Sequence, residues 1–262
     1  VLSGKATLDI TGREGADQII LDVRNLDIAS VTDGAGQALA WRLGADDPIL
    51  GQAMEIDLRP MHEGEARKLV ITYSTRPDAA ALQWLNPAQT AGGQQPYLFS
   101  QGQAILTRTW VPTQDSPGIR QSYTARIVVP EALKAVMSAE MLTPNGEPAG
   151  PGKRAYRFRL ANPVPPYLIA LGVGDIAFAS LGERTGVYTE PSMLAAAHAE
   201  LPEVEAMVEA AGPQKVRFFG IEHVVGMTLA VSAAHMSLVW RTKIHLLWMI
   251  GAGAVLGALG LV

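Results

Sequence analysis

The sequence predicts a mainly β fold: a largely antiparallel β-sheet domain over residues 1–190, a helical connector over 191–213, and an apolar two-helix transmembrane hairpin over 214–262. Three observations predict it. Through the first part, apolar and polar residues alternate at period two between closely spaced turn signals. An Ala-, Glu- and Met-rich stretch then replaces that pattern. Last come two apolar runs of 23 and 19 residues, 218–240 and 244–262, each close to the roughly 20 residues that span a bilayer.

The strands follow in order. In "SGKATLDI", Ala6, Leu8 and Ile10 share a face. In "DQIILDVRNLDIASVT", Ile19, Leu21 and Val23 oppose Ile20, Asp22 and Arg24. "QALAWRL", "AMEIDL" and "RKLVITYST" continue the alternation, with turns at Gly12 to Gly15, Asp33-Gly34 and Asp46-Asp47-Pro48. Residues 76–118 are less regular and rich in Gly, Pro and Gln. "RQSYTARIVVP" and "RAYRFRL" return to alternation around "PNGEPAGPGK", which reads as a hairpin tip. "PPYLIALGVGDIAF" is a nearly continuous apolar run whose Gly172 and Gly174 argue for a buried strand over a membrane helix. Nine to twelve strands and no helix are expected before residue 190.

In the connector, Ser192 is placed to cap a helix start and Gly212 to stop its end, with Pro202 splitting or kinking it. The apolar tail carries only Glu222, Arg241 and Lys243 as formal charges. Trp240 and Trp248 sit near the intervening Arg-Thr-Lys, as interfacial aromatics do. Small residues at Gly251, Gly253, Gly257 and Gly260 suit close helix packing. The competing reading is a pair of buried helices in a soluble domain.

Composition narrows the function classes. Charged residues make up 18%, against about 25% in average globular chains, and the tail explains the deficit. Because the tail carries net +1 and the whole chain −4, residues 1–217 carry −5. A mildly acidic domain with no basic face excludes nucleic acid as the expected partner. There is no cysteine, so disulfides, Cys-ligated zinc and thiol nucleophiles are excluded. Val1 is not an initiator methionine and no leader pattern is present, so the sequence is expected to begin inside a domain. Membrane association through 218–262 is expected; the flanking charges, Lys215 and Arg217 against Arg241 and Lys243, balance and leave the side of the β domain open, with the missing leader pattern slightly favouring the cytoplasmic side.

Several stretches together resemble a known family. "ILDVRNLDIASVT", "ALQWLNPAQTAGGQQPYLFSQGQAILTRTWVPTQDSPGIRQSYTARIVVPEAL" and "PVPPYLIALGVGDIAF" are similar to the N-terminal domain of the zinc aminopeptidases that include leukotriene A4 hydrolase and aminopeptidase N. The likeness covers about residues 1–213. It implies a large, saddle-shaped, mostly antiparallel β domain. It also implies that the glutamines of the S-Q-x-Q-A segment line the substrate cleft, the second near the peptide's free amino terminus. Carried onto this sequence, the glutamines are Gln101 and Gln103, and with Ala104 they form the implied half of a substrate site. An amide oxygen can accept from an ammonium and an amide NH2 can donate to a carbonyl. The alternative is that the two glutamines satisfy backbone groups at a strand end.

The family's zinc site is another matter. It needs H-E-x-x-H, two histidines on one helix face with a glutamate between them to polarise the metal-bound water. No H-E-x-x-H occurs here, and the histidines at 62, 198, 223, 235 and 245 include no pair four apart. The zinc ligands the resemblance implies are therefore absent. "FFGIEHVVGM" is weakly similar to small cytochrome-b-like bacterial membrane proteins. Ionisable groups within a membrane segment are costly, which makes Glu222, His223, His235 and His245 candidate membrane-site residues, as haem ligands or proton relays, with His235 and His245 the pair placed across the hairpin for haem. His223 and His235 lie about 18 Å apart along a helix, too far for one metal. The competing reading is interfacial polar residues near helix ends. Asp115 is expected to cap a turn before Pro117, with no catalytic partner in view, and His62 to be a solvated loop residue.

Three functions follow. One is a non-catalytic, membrane-tethered binding or structural module. Another is part of a zinc metallo-aminopeptidase whose catalytic half lies outside this sequence. The last is a membrane haem or redox subunit.

Overall fold

The computed structural model describes residues 1–209, which form two compact units. Sixteen strands run in chain order: β1 Ser3–Thr11, β2 Gln18–Val23, β3 Leu26–Asp33, β4 Trp41–Leu43, β5 Gln52–Asp57, β6 Ala66–Thr75, β7 Leu82–Leu85, β8 Tyr97–Ser100, β9 Gln121–Pro130, β10 Lys134–Met137, β11 Glu140–Met141, β12 Glu147–Pro148, β13 Lys153–Val164, β14 Leu171–Gly174, β15 Ala177–Ser180 and β16 Gly186–Thr189. The pairings β1–β6, β3–β6, β2–β5, β4–β5, β10–β14, β8–β14, β11–β13, β12–β13 and β15–β16 are antiparallel. The count exceeds the expected nine to twelve because strands of two to four residues are too short to show an alternation.

The first unit holds 1–83, 100–122 and 162–169. It contains two three-stranded sheets, β1-β6-β3 and β2-β5-β4. Their inward side chains form one apolar cluster of Leu21, Val23, Leu26, Val31, Met54, Ile56, Leu69 and Ile71. Met54, Ile56, Leu69 and Ile71 are completely buried. Each such side chain contributes about 1.5–3 kcal/mol on burial. The alternation of β1 is as expected: Ala6, Leu8 and Ile10 face inward while Lys5, Thr7 and Asp9 are exposed.

Strand β3 departs from simple alternation. Leu26 and Val31 are both buried although five residues apart. A bulge reconciles them: Ile28 pairs with Tyr73 and Ser30 with Thr72, so Ala29 is an extra residue that shifts the phase by one.

The second unit contains the greater part of sheet β10-β14-β8-β7 and of the ladder β11-β13-β12 with β9 on β13, and all of the hairpin β15-β16. Its buried side chains include Leu98, Phe99, Ala135, Phe158, Leu171 and Val173. The turn between β12 and β13 carries Gly150 and Gly152 at φ +105° and +65°, the backbone the "PNGEPAGPGK" hairpin tip requires. The run at 165–178 is not one buried strand. It divides into a 3₁₀ turn Pro166–Leu168, buried β14, and the start of β15. Pro165 and Pro166, which donate no backbone hydrogen bond, favour the turn.

No α-helix precedes residue 191, as expected. The connector opens with a 3₁₀ turn Pro191–Met193 and continues as α1, Leu194–Glu200. Ser192 lies inside that turn and is not the cap. The residue before α1 is Met193, already in right-handed helical conformation, and no side chain caps it. The helix breaks at Leu201-Pro202 and resumes over 204–209. Among the described residues no helix is long and apolar enough to cross a membrane. The stretches expected to do so, 218–240 and 244–262, lie outside the described residues, as do Gly212, Glu222, His223, His235 and His245.

Candidate functional site

The polar interruption at 101–104 follows directly on β8. Gln101 N–H donates to the Ala81 carbonyl at 2.7 Å, and Leu106 N–H donates to the Gly102 carbonyl at 2.8 Å. The residues between form a short loop. Gly102 is buried beneath it. A Cβ there would lie 2.8 Å from the Tyr167 carbonyl oxygen, 2.9 Å from the Tyr167 Cα and 2.9 Å from Thr107 Oγ1. Only a residue without a side chain fits that gap. The peptide bond between Gln103 and Ala104 is cis.

The two glutamines do different things. The Gln101 side-chain oxygen accepts the Gln103 backbone N–H at 3.3 Å. The Gln101 side chain thus satisfies one backbone donor of its own loop. Gln103 and Ala104 are exposed at the loop tip. The structure thus offers an exposed amide, Gln103, on a loop fixed from below.

The segment after the loop is laid along β2. Asp22 N–H donates to the Thr113 carbonyl at 2.7 Å and Arg24 N–H to the Arg108 carbonyl at 3.0 Å. This brings together three charged groups that sequence reasoning left apart. Asp115 Oδ2 accepts from Arg108 N–H at 3.0 Å and from Arg108 Nε–H at 3.1 Å. Arg108 Nη2 donates to the Asp115 carbonyl at 2.9 Å, and Nη1 to the Leu50 carbonyl. Asp22 Oδ1 lies 3.6 Å from Nη1, and Asp22 Oδ2 accepts the Asp115 N–H at 2.8 Å.

The Arg108 and Asp115 side chains are 6% and 1% exposed, so this is a buried, hydrogen-bonded ion pair. Burial pushes the Asp115 carboxyl up from its ordinary value, and its two bonds from Arg108 oppose that rise. The expectation that Asp115 merely caps a turn is corrected: it is the counter-ion of Arg108. A signal existed in the sequence. A single arginine inside "ILTRTWVP" cannot be buried unpaired, and Asp115 is the next acid along the chain.

His62 is solvent-exposed, as expected, with Nδ1 3.4 Å from a Glu14 carboxylate oxygen. His198 lies in α1. Among the described residues no group of three His, Asp or Glu side chains could hold a metal ion. These residues do not fit the zinc that the family resemblance implies.

Residues 1–168 match the family model described as the peptidase M1 N-terminal domain. The chain is 36% identical over 208 residues to leukotriene A-4 hydrolase of Xenopus laevis, covering 78% of this chain and 34% of that protein. It is 36% identical over 212 residues to aminopeptidase B of Mus musculus, covering 76% and 31%. The structure of yeast leukotriene A4 hydrolase in complex with bestatin is similar at TM-score 0.70 and 32% identity, over 80% of this chain and 32% of that one. The chain therefore spans about a third of the length of the curated relatives it matches.

Proposed function

This chain belongs to the peptidase M1 family through its N-terminal domain, and on that premise we propose that the loop at 101–104 receives the free amino end of a peptide. One observation carries the reading: Gln103 is exposed on a backbone fixed by the buried Gly102 and by the Gln101 side chain. With the backbone already held, only the Gln103 side-chain rotamers remain to be ordered on binding, so more of the interaction energy appears as affinity. The Gln103 side-chain oxygen accepts from the peptide ammonium, and its NH2 donates to the first peptide carbonyl. Such a contact recognises substrate without cutting it.

The test is calorimetric titration of the 262-residue chain with trialanine and with N-acetyl-trialanine. Two or three hydrogen bonds support an affinity on the order of millimolar. The free-amine peptide binds more tightly, and Gln103→Ala removes the difference. Equal binding of both peptides by the unaltered chain would count against the proposal.

A second reading rests on length. Relatives about three times as long leave room for a further domain that supplies the zinc and completes the cleft. In that case the 101–104 loop is one wall of a peptidase site. Zinc-dependent hydrolysis of an aminoacyl-nitroanilide by the chain itself would contradict both readings, since each assigns these residues to binding.

A further inference from the structure

Two buried threonines stand two residues apart beneath the glutamine loop. Thr107 is 0% exposed and Thr109 is 2% exposed. Their hydroxyls have opposite fates. Among the described residues, Thr107 Oγ1 has no hydrogen-bond partner. Thr109 Oγ1 accepts the Ala81 N–H at 3.0 Å and donates to the Leu106 carbonyl at 2.7 Å. The Ala81 carbonyl in turn accepts the Gln101 N–H at 2.7 Å.

One hydroxyl therefore reaches both ends of the loop. It holds the outgoing end directly at Leu106 and the incoming end through Ala81, which is 0% exposed. No water can replace Oγ1 at the Ala81 N–H without opening the core, so its removal leaves a buried donor unsatisfied. A β-branched side chain is also stiff at χ1, which keeps the hydroxyl between its two partners.

We infer that Thr109 is a positioning residue for the loop that presents Gln103, an inference that rests on the reading of Gln103 as the contact to a peptide amine. Thr109 touches no ligand. It fixes the distance between β7, which starts just after Ala81, and the turn that follows the loop, and so fixes where the Gln103 amide points.

The test compares T109V, T109S and T107V in the 262-residue chain. Amide hydrogen exchange at Gln101 and Leu106 is read against Leu69 and Ile71 of the central strand β6, alongside trialanine binding. In T109V the Gln101 and Leu106 amides exchange roughly tenfold faster relative to β6, the size expected for losing one to two net hydrogen bonds. Trialanine affinity falls with them, and T109S restores both. T107V, equally buried and equally close, leaves exchange and affinity near those of the unaltered chain.

Unchanged relative exchange in T109V, or equal loss in T107V, would overturn the inference. Should T109V not fold, T109A removes the same two bonds and gives the same reading. The two proposals fail separately: equal binding of free and acetylated peptide by the unaltered chain removes the role of Gln103, while exchange alone decides whether Thr109 ties the loop.

Discussion

Asp115 Oδ2 accepts from Arg108 twice, from the backbone N–H at 3.0 Å and from the guanidinium Nε–H at 3.1 Å. Removing Arg108 strands the Asp115 carboxylate, 1% exposed, without a cation, and removing Asp115 leaves the buried guanidinium only Asp22 at 3.6 Å. Arg108→Met or Asp115→Ala is expected to destabilise the chain by about 3–5 kcal/mol. Replacing both together, Arg108→Met with Asp115→Leu, recovers part of that loss, because the one carboxylate left without its arginine is Asp22, whose side chain is 38% exposed to water. Urea unfolding of the three variants measures this, provided the slope of the transition stays constant.

Loop placement is tested at Gly102. Gly102→Ala puts a methyl group within 3 Å of Tyr167 and Thr107 and forces one of them aside. A cost of about 1–3 kcal/mol is expected from overpacking. Backbone resonances of 101–106 shift, while those of β1 and β6 do not. Trialanine binding weakens in the same variant.

Burial pushes the phenols of Tyr73, Tyr97 and Tyr123 up to about 12 from 10.0, with the nearby Glu190 charge adding to the effect at Tyr97. In the unfolded chain these groups ionise near 10, while in the folded chain they keep their protons. The folded state therefore binds more protons between pH 10 and 12, and stability falls as pH rises through that window. Below pH 10 the contribution is constant. Absorbance at 295 nm should show these three of the six tyrosines titrating about two units late, and normally in 8 M urea.

Much of the first unit was legible because its information is local. Leu21, Val23, Met54 and Ile56 reach the core at the alternation the sequence displays. The bulge at Ala29 was not legible, since a phase shift within eight residues looks like imperfect alternation until the partner strand fixes the register. The loop itself was legible as a polar interruption, through the residue types Gln-Gly-Gln. What supports it was not. Asp22 and Asp115 are 93 residues apart, and Ala81 and Thr109 are 28 apart. Ser192 misled because a Ser before an apolar run fits a cap, whereas Pro191 starts a 3₁₀ turn one residue earlier.

Gln103 is proposed to read a peptide's free amino end. The most direct measurement of this role is a ¹H–¹⁵N titration of the labelled 262-residue chain with trialanine and with N-acetyl-trialanine. Trialanine is expected to move the Gln103 side-chain NH2 resonances and the backbone amides of 101–105, and the acetylated peptide to leave them in place. Shifts of equal size with both peptides, or shifts that leave the Gln103 side chain untouched, would contradict it.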